Sequence, residues 1–391
     1  MRRTLMRRSA LALAVLAASL AGEAAAQSSQ FGIRGPGIPG RGLSARALGT
    51  GGSYGLLDPE SGQNPAALGQ VTTLTAVFTG VQSFRTSENP AGEATGRDSR
   101  FPQTMVAGPL RRVPMTIGFG YGTYASRDFS LATTDSITVG GTRLGVSDTL
   151  ASRGGLTDIR LAASYRLPSD WTFGVGLHAI TGSNRIQVRR VFGDSAYLPI
   201  TQRSEVSYSG VGLSLGVTRA WRSVAVAVMG RTDGRVRVNR DTTLVSRIDL
   251  PSTVGASVRW RPAAKLDLMG QGTYRTWSDA NQDLVDQGAT GAESTIDLAF
   301  GGQFTRDPRR PGSLPLRFGG RYATLPFPTA LGAEQPKEVG VALGTGVQFA
   351  GNRAAVDLAL EHVWRSAGPQ YKERAFQVVV GVSIRPTFSG Q

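Results

Sequence analysis

Apolar residues recur at every second position along most of this chain. Phe376, Val378, Val380, Val382 and Ile384 share one parity, while Gln377, Gly381, Ser383 and Arg385 share the other. Val341, Leu343, Val347 and Phe349 alternate with Gly340, Ala342, Gly344, Gly346 and Gln348. Trp171-Phe173-Val175-Leu177, Val211-Leu213-Leu215-Val217 and Val254-Ala256-Val258-Trp260 repeat the pattern. A period of two belongs to a sheet with one apolar face. The runs extend over about 10 to 15 residues, longer than the roughly 5 to 6 of a globular strand. A tilted membrane strand needs about 9 to 11.

Strands are expected at 70–85, 99–110, 112–127, 155–168, 171–184, 204–220, 222–232, 246–261, 264–278, 292–306, 313–326, 336–350, 353–366 and 373–388. The connections alternate. Short turns fall at Leu110-Arg111-Arg112, Pro168-Ser169-Asp170, Ala220-Trp221-Arg222, Arg261-Pro262-Ala263 and Ala350-Gly351-Asn352, with a longer one from Asp307 to Gly312. Long loops are expected at 86–98, 128–154, 185–203, 233–245, 279–291, 327–335 and 367–372. Sorting of turns to one side and loops to the other is the pattern of an outer-membrane barrel, and a soluble sandwich has no cause for it. The expected fold is therefore all-β, a transmembrane antiparallel up-and-down β-barrel of about 14 strands with an N-terminal plug. Boundary errors of about 2 to 4 residues leave twelve or sixteen strands open. An even count puts both termini on the short-turn, periplasmic side. Trp171, Tyr165, Trp221, Trp260, Tyr274, Trp277, Tyr322 and Trp364 lie near strand ends, where interfacial girdles form.

The N-terminus fits export. Arg2, Arg3, Arg7 and Arg8 precede an apolar run from Ala10 to Leu20, and Ala24-Ala25-Ala26 offers a cleavage site. Residues 1–26 read as a signal peptide, with Gln27 as the new first residue. Beyond Leu20 no run approaches the roughly 18 apolar residues of a membrane helix. There is no cysteine, which excludes disulfides, a lipobox, thiol catalysis and thiolate metal sites. The formal charge is +15, but the arginines are scattered singly and form no basic helix, so no nucleic-acid partner is expected.

Residues 27–69 break the pattern and 70–391 carry it. The stretch Ser44-Ala45-Arg46-Ala47-Leu48-Gly49-Thr50-Gly51-Gly52-Ser53-Tyr54 is followed, ten residues on, by Asn64-Pro65-Ala66-Ala67-Leu68. Gly49, Gly51 and Gly52 permit close backbone approach, Pro65 holds Asn64 in extended or turn geometry, and the Asn64 side chain can cap a turn. A compact plug in a polar lumen suits these residues; a flexible periplasmic arm is the alternative. The segment, with Asp58 six residues before Asn64, resembles the N-terminal signature of the outer-membrane fatty-acid and aromatic-hydrocarbon transporter family (FadL/TodX type). It also resembles the related PorV-type secretion barrels. Ser53 departs from the usual Ala, and Gln63 from the usual small or aromatic residue. The resemblance implies a hatch in which Gly49, Gly51, Gly52, Asn64, Pro65 and Ala66 act. It also implies passive uptake of hydrophobic small molecules, such as long-chain fatty acids or aromatic hydrocarbons. A non-transport barrel that binds partner proteins is the alternative. Phe388, near the end of the last strand, resembles the signal read by the barrel-assembly machinery.

Catalytic chemistry is not expected. His178 has inward parity and His362 outward parity, and neither has triad or ligand spacing. No cofactor and no metal site is expected. The inward parity carries charges of both signs, among them Asp297, Asp357, Arg317, Arg321 and Glu361, as lumen-facing groups that pack around the plug. The expected surroundings are outer-membrane lipid and a hydrophobic small-molecule ligand.

Overall fold

The computed structural model describes residues 29–90, 92–240, 243–307, 313–330, 332–349, 351 and 353–386. The expected signal peptide, the Pro308–Pro311 turn and Phe388 lie outside the described residues. A two-residue strand, β1 (Ile38–Pro39), and a short helix, α1 (Ala45–Gly49), come first. Then follow β2 (Thr75–Asn89), β3 (Gly92–Pro109), β4 (Met115–Ser126), β5 (Phe129–Val139), β6 (Thr142–Arg166), β7 (Trp171–Phe192), β8 (Ile200–Ala220), β9 (Val224–Asp233), β10 (Arg235–Arg240) and β11 (Thr243–Asp249). The wall is completed by β12 (Thr253–Ala263), β13 (Leu266–Arg275), β14 (Thr295–Thr305), β15 (Pro315–Thr324), β16 (Lys337–Phe349), β17 (Ala354–Ala367) and β18 (Tyr371–Ile384).

Pairing is antiparallel throughout, and β18 closes on β2, with Phe376 opposite Phe84 and Ile384 opposite Ala76. Fourteen strands form the closed wall: β2, β3, β4, β6 to β9 and β12 to β18. β5 pairs only with the far half of β6, and the β10–β11 hairpin pairs with the far half of β8. These additions occupy segments expected to be loops. The 86–98, 128–154, 185–203 and 233–245 connections are largely paired strand. β6 runs 25 residues, about 60 Å at ordinary rise and tilt, more than twice the roughly 25 Å apolar band of such a barrel. The reason for the difference is chemical. In Phe129–Val139 (FSLATTDSITV) the apolar parity of Phe129, Leu131, Ile137 and Val139 is interrupted by Thr133 and Asp135, so the alternation on either side is too short to read as a strand.

Polar residues are inside and large apolar residues outside, the inverse of a soluble protein. Thr79, Ser83, Thr116, Ser164, Ser214 and Ser257 are buried toward the lumen. Phe300 is 67% exposed and Leu177, Leu215 and Leu343 each 58%. Such a wall is at rest only in lipid. The tyrosines and tryptophans expected in girdles are mostly exposed, among them Tyr165, Trp221, Trp260, Tyr322 and Trp364. Trp277 is a correction: it is 1% exposed and packs edge-on against Phe327, with ring centroids 5.1 Å apart. It belongs to an apolar cap with Tyr208, Val236, Ala280 and Leu284 across the hairpin end of the lumen. The short 3₁₀ turn Trp277–Ala280 and the helix α2 (Asn281–Val285) hold it there, in the segment that follows β13.

A hatch, a side gap and a polar cavity

Residues 29–71 fill the lumen. Ser44 caps α1 by accepting from the Ala47 N–H at 3.1 Å. The fully buried Asp58 carboxylate accepts from the Ser44 hydroxyl, the Ser61 hydroxyl at 2.8 Å, the Glu60 N–H at 3.2 Å and the Arg46 guanidinium. Burial pushes this carboxyl up, but Arg46 and the two hydroxyls outweigh it and hold it below the usual range. Asn64 caps the turn Pro65–Gln70: its Oδ1 accepts from the Ala66 N–H at 3.0 Å and its Nδ2 donates to the Leu56 carbonyl at 2.9 Å. One side chain thus joins the two halves of the segment.

Glycines of the wall receive it. A Cβ on Gly216 of β8 would overlap Asn64 Oδ1, and one on Gly174 of β7 would overlap the Ala66 nitrogen. Across the lumen, Gly51 adopts φ +68° and lies against Gly319 and Gly320 of β15, while Gly49 lies against Gly344 of β16. Gly52, at φ +98°, turns the chain away. Both motif halves therefore dock backbone to backbone in glycine-floored troughs.

Charged groups complete the packing. Arg317 pairs with Asp357 at 2.6 Å, and Arg321 pairs with Asp297 at 3.0 Å and with Glu338. Glu361, 1% exposed, holds Arg41 of the hatch, and Glu60 of the hatch pairs with Arg385 at 2.8 Å. The five sequence-selected charges are thus brought into two wall pairs and one wall-to-hatch pair. Sequence reading missed Glu338, Arg365 and Glu373, which continue the chain: Arg365 binds both glutamates at 2.5 Å, and Glu373 accepts from Ser29 at 2.7 Å. Inward parity was their one signal, since Glu338 lies two residues from Gly340.

His178 also departs from expectation. Its Nδ1 is 2.8 Å from Asp158 and its Nε2 2.8 Å from the Ser214 hydroxyl, an Asp–His–Ser chain assembled from three strands. Arg231 extends it, binding Asp158 at 2.7 Å and Asp233 at 2.8 Å. Spacing could not show this, because the three residues are neighbours only through the β6–β7–β8 registers. Ser214 is 1% exposed, and the backbone of its strand is paired with β7 in the ladder on that side. His362 is on the outer wall.

One side of the wall is open. β3 pairs with β4 only from Gln103 to Pro109. Beyond Gly122, β4 leaves β3 and pairs instead with the hatch, Ile38 opposite Ser126 and Pro39 opposite Ala125. Gly40 adds an N–H bond to the Tyr124 carbonyl at 2.7 Å. A cavity of about 100 Å³ lies behind this gap, between the hatch, Gln103, Tyr124 and Trp277. Arg160, Arg231 and Arg275 line it. Arg160 donates to the Gly62 carbonyl, but neither it nor Arg275 has a carboxylate within ion-pair distance among the described residues. Arg231 Nη2 and Trp277 Nε1 are buried donors without an acceptor.

A closed fourteen-stranded barrel with an apolar outer wall, an N-terminal segment folded back into its lumen and a side gap beside that segment define a plugged membrane barrel. No family model matches the chain. It is 27% identical to the long-chain fatty acid transport proteins of Shigella flexneri and of Escherichia coli strain K12, over 223 residues in each case, 55% of this chain and 47% of theirs. The chain thus aligns with about half the length of these curated relatives. A Pseudomonas aeruginosa FadL homologue shares the fold at TM-score 0.63 and 10% identity, covering 89% of this chain and 99% of that one. The Ralstonia pickettii toluene transporter TbuX does so at 0.57 and 12%, with the same coverage. The P. putida toluene transporter TodX gives 0.54 and 13%, again over 89% and 99%. Sequence and fold therefore agree in the resemblance to FadL/TodX-type barrels.

Proposed function

We propose that this chain is a passive outer-membrane channel for hydrophobic small molecules that carry an acceptor head group, with long-chain carboxylates as the favoured class. The observation that carries the substrate class is the cavity's spare donors: Arg231 Nη2 and Trp277 Nε1 are buried without an acceptor, Arg275 beside them has no ion-pair partner among the described residues, and the lining carboxylates Asp158 and Asp233 are already held by Arg231. Buried donors of this kind cost about 1 to 3 kcal/mol each until an acceptor arrives, and an uncharged hydrocarbon supplies none. The ligand enters at the hairpin end, crosses the apolar cap, and meets the cavity at the β3–β4 gap. The cavity is too small for an acyl chain with the hatch docked, so passage needs the segment around Gly40 and Gln63 to shift. In this reading residues 1–26 are removed on export, 27–69 form the hatch and 70–391 the barrel. Both termini are periplasmic, the barrel-assembly machinery inserts the chain, and no reaction is catalysed.

The test is uptake of labelled oleate by vesicles holding the purified protein, beside an alkylbenzene of similar size. Protein should accelerate both, and Arg275→Gln should slow oleate about tenfold while sparing the hydrocarbon. Equal oleate rates with and without protein defeat the transport reading. Equal slowing of both compounds by the variant defeats the carboxylate assignment alone.

A further inference from the structure

The apolar outer face is interrupted in one sector. His362, Phe376, Phe84 and Arg97 form one cross-strand row on β17, β18, β2 and β3. The next row toward the hairpin end is Trp364, Arg374, Thr86 and Thr95. These rows border an open groove of about 680 Å³ on the outside of the wall. Its floor holds Phe84 and Phe376, both exposed, and the His362 ring lies 4.3 Å from that of Trp364. Arg97 makes no ion pair among the described residues, and Arg374 makes only a long one, 3.7 Å to Glu88. Elsewhere along this rim the outward side chains are apolar or aromatic, as with Tyr274, Ile296, Tyr322 and Val339.

Depth sorts these groups. At a rise of roughly 3.4 Å and a tilt of about 40°, Phe376 stands about 21 Å and Arg374 about 26 Å above Ile384 at the other end of β18. The apolar band is about 25 Å tall. The phenyl rings are therefore at acyl depth and Arg374 at head-group level, while Arg97 starts from the Phe84 row and lines the same groove with a side chain long enough to reach the head-group level. A carboxylate has two oxygens to offer. Two guanidinium groups flanking the hydroxyls of Thr86 and Thr95 provide more donors than that, and match the three terminal oxygens of a phosphate monoester.

We infer that this groove binds an anionic lipid with a phosphate head, in the leaflet at the hairpin end. The inference rests on the lipid-facing wall and not on transport, so a barrel that carried no fatty acid would leave it standing. The test uses the full chain in phosphatidylcholine vesicles containing a small fraction of brominated phosphatidic acid, or the same fraction of brominated phosphatidylcholine. Both leaflets carry probe, so the barrel's orientation does not matter. Tryptophan emission should be quenched in excess by phosphatidic acid, with about thirty-fold local enrichment, the product of roughly fivefold per arginine at a charged surface. The excess should disappear in Trp364→Phe and in R97Q/R374Q. R97Q alone, which breaks no ion pair, should lower it about fivefold. Equal quenching by the two lipids overturns the inference. So does an excess that persists in R97Q/R374Q or in Trp364→Phe.

Discussion

Replacing Gly216 by Ala should open the channel without unfolding the barrel. The new Cβ would occupy the position of Asn64 Oδ1, and Asn64 lies on a turn that cannot yield without losing its bonds to the Ala66 N–H and the Leu56 carbonyl. Overpacking costs about 1 to 3 kcal/mol. Two buried hydrogen bonds add about 1 kcal/mol each. A total near 3 to 5 kcal/mol shifts the docked-to-undocked ratio of the hatch by roughly 100- to 4000-fold, at about 1.4 kcal/mol per factor of ten. The wall keeps its ladders, because Gly216 pairs through backbone groups that a methyl does not touch. The assay is conductance of purified protein in planar bilayers, with heat-modifiable migration on gels to confirm a folded barrel. Gly230→Ala is the control: a Cβ there meets nothing within 4 Å. Conductance should rise severalfold in Gly216→Ala and not in the control. Wild-type conductance in folded Gly216→Ala protein would refute the docking argument, since the added atom has nowhere else to go.

Deleting 29–69 should raise non-specific permeability at least as much as Gly216→Ala, measured by liposome swelling. Asp58→Asn leaves Arg46 without its buried partner and should loosen the hatch by about 3 kcal/mol, seen as faster proteolysis within 40–65. Because the Asp58 pKa is depressed, its contribution is complete above the unfolded value near 3.9 and fades only as pH falls through the lower folded value, so the part of docking that Asp58 supplies should be constant from about pH 5 to 8. Burial raises the Glu60 carboxyl, so Glu60 acts with the opposite sign. Its burial cost is complete above the raised folded pKa and is relieved as pH falls from there to the unfolded value near 4.3, so Glu60→Gln should loosen the hatch less than Asp58→Asn. Ester hydrolysis should be equal in wild type and Ser214→Ala; a serine-dependent turnover would make the Asp158–His178–Ser214 chain a working triad.

The fourteen wall strands were legible because lipid outside and small residues inside impose different chemistry on alternate positions, as in Val175 against Gly174 and Gly176. That same contrast is shortened and interrupted by polar residues beyond the membrane, as by Thr133 and Asp135 between Leu131 and Ile137, which is why β5, β10 and the far halves of β6 to β8 read as loops. Trp277 misled for a related reason: an aromatic at the end of β13 looks the same in sequence whether it meets lipid or turns inward onto Phe327. Within the hatch, Asn64 and Pro65 were readable as a capped turn because capping is local. Their partners were not, since Gly174 and Gly216 appear in sequence only as the small members of an alternation. The same holds for Ser214, the small residue two positions before Gly216, until the register of β7 and β8 sets it beside His178. What pattern reading can find in a barrel is therefore the wall, whose chemistry repeats. What it cannot find is the face that each inward residue presents to the hatch, because the hatch is one unrepeated surface and the wall accommodates it by omission, with a missing Cβ at each point of closest approach.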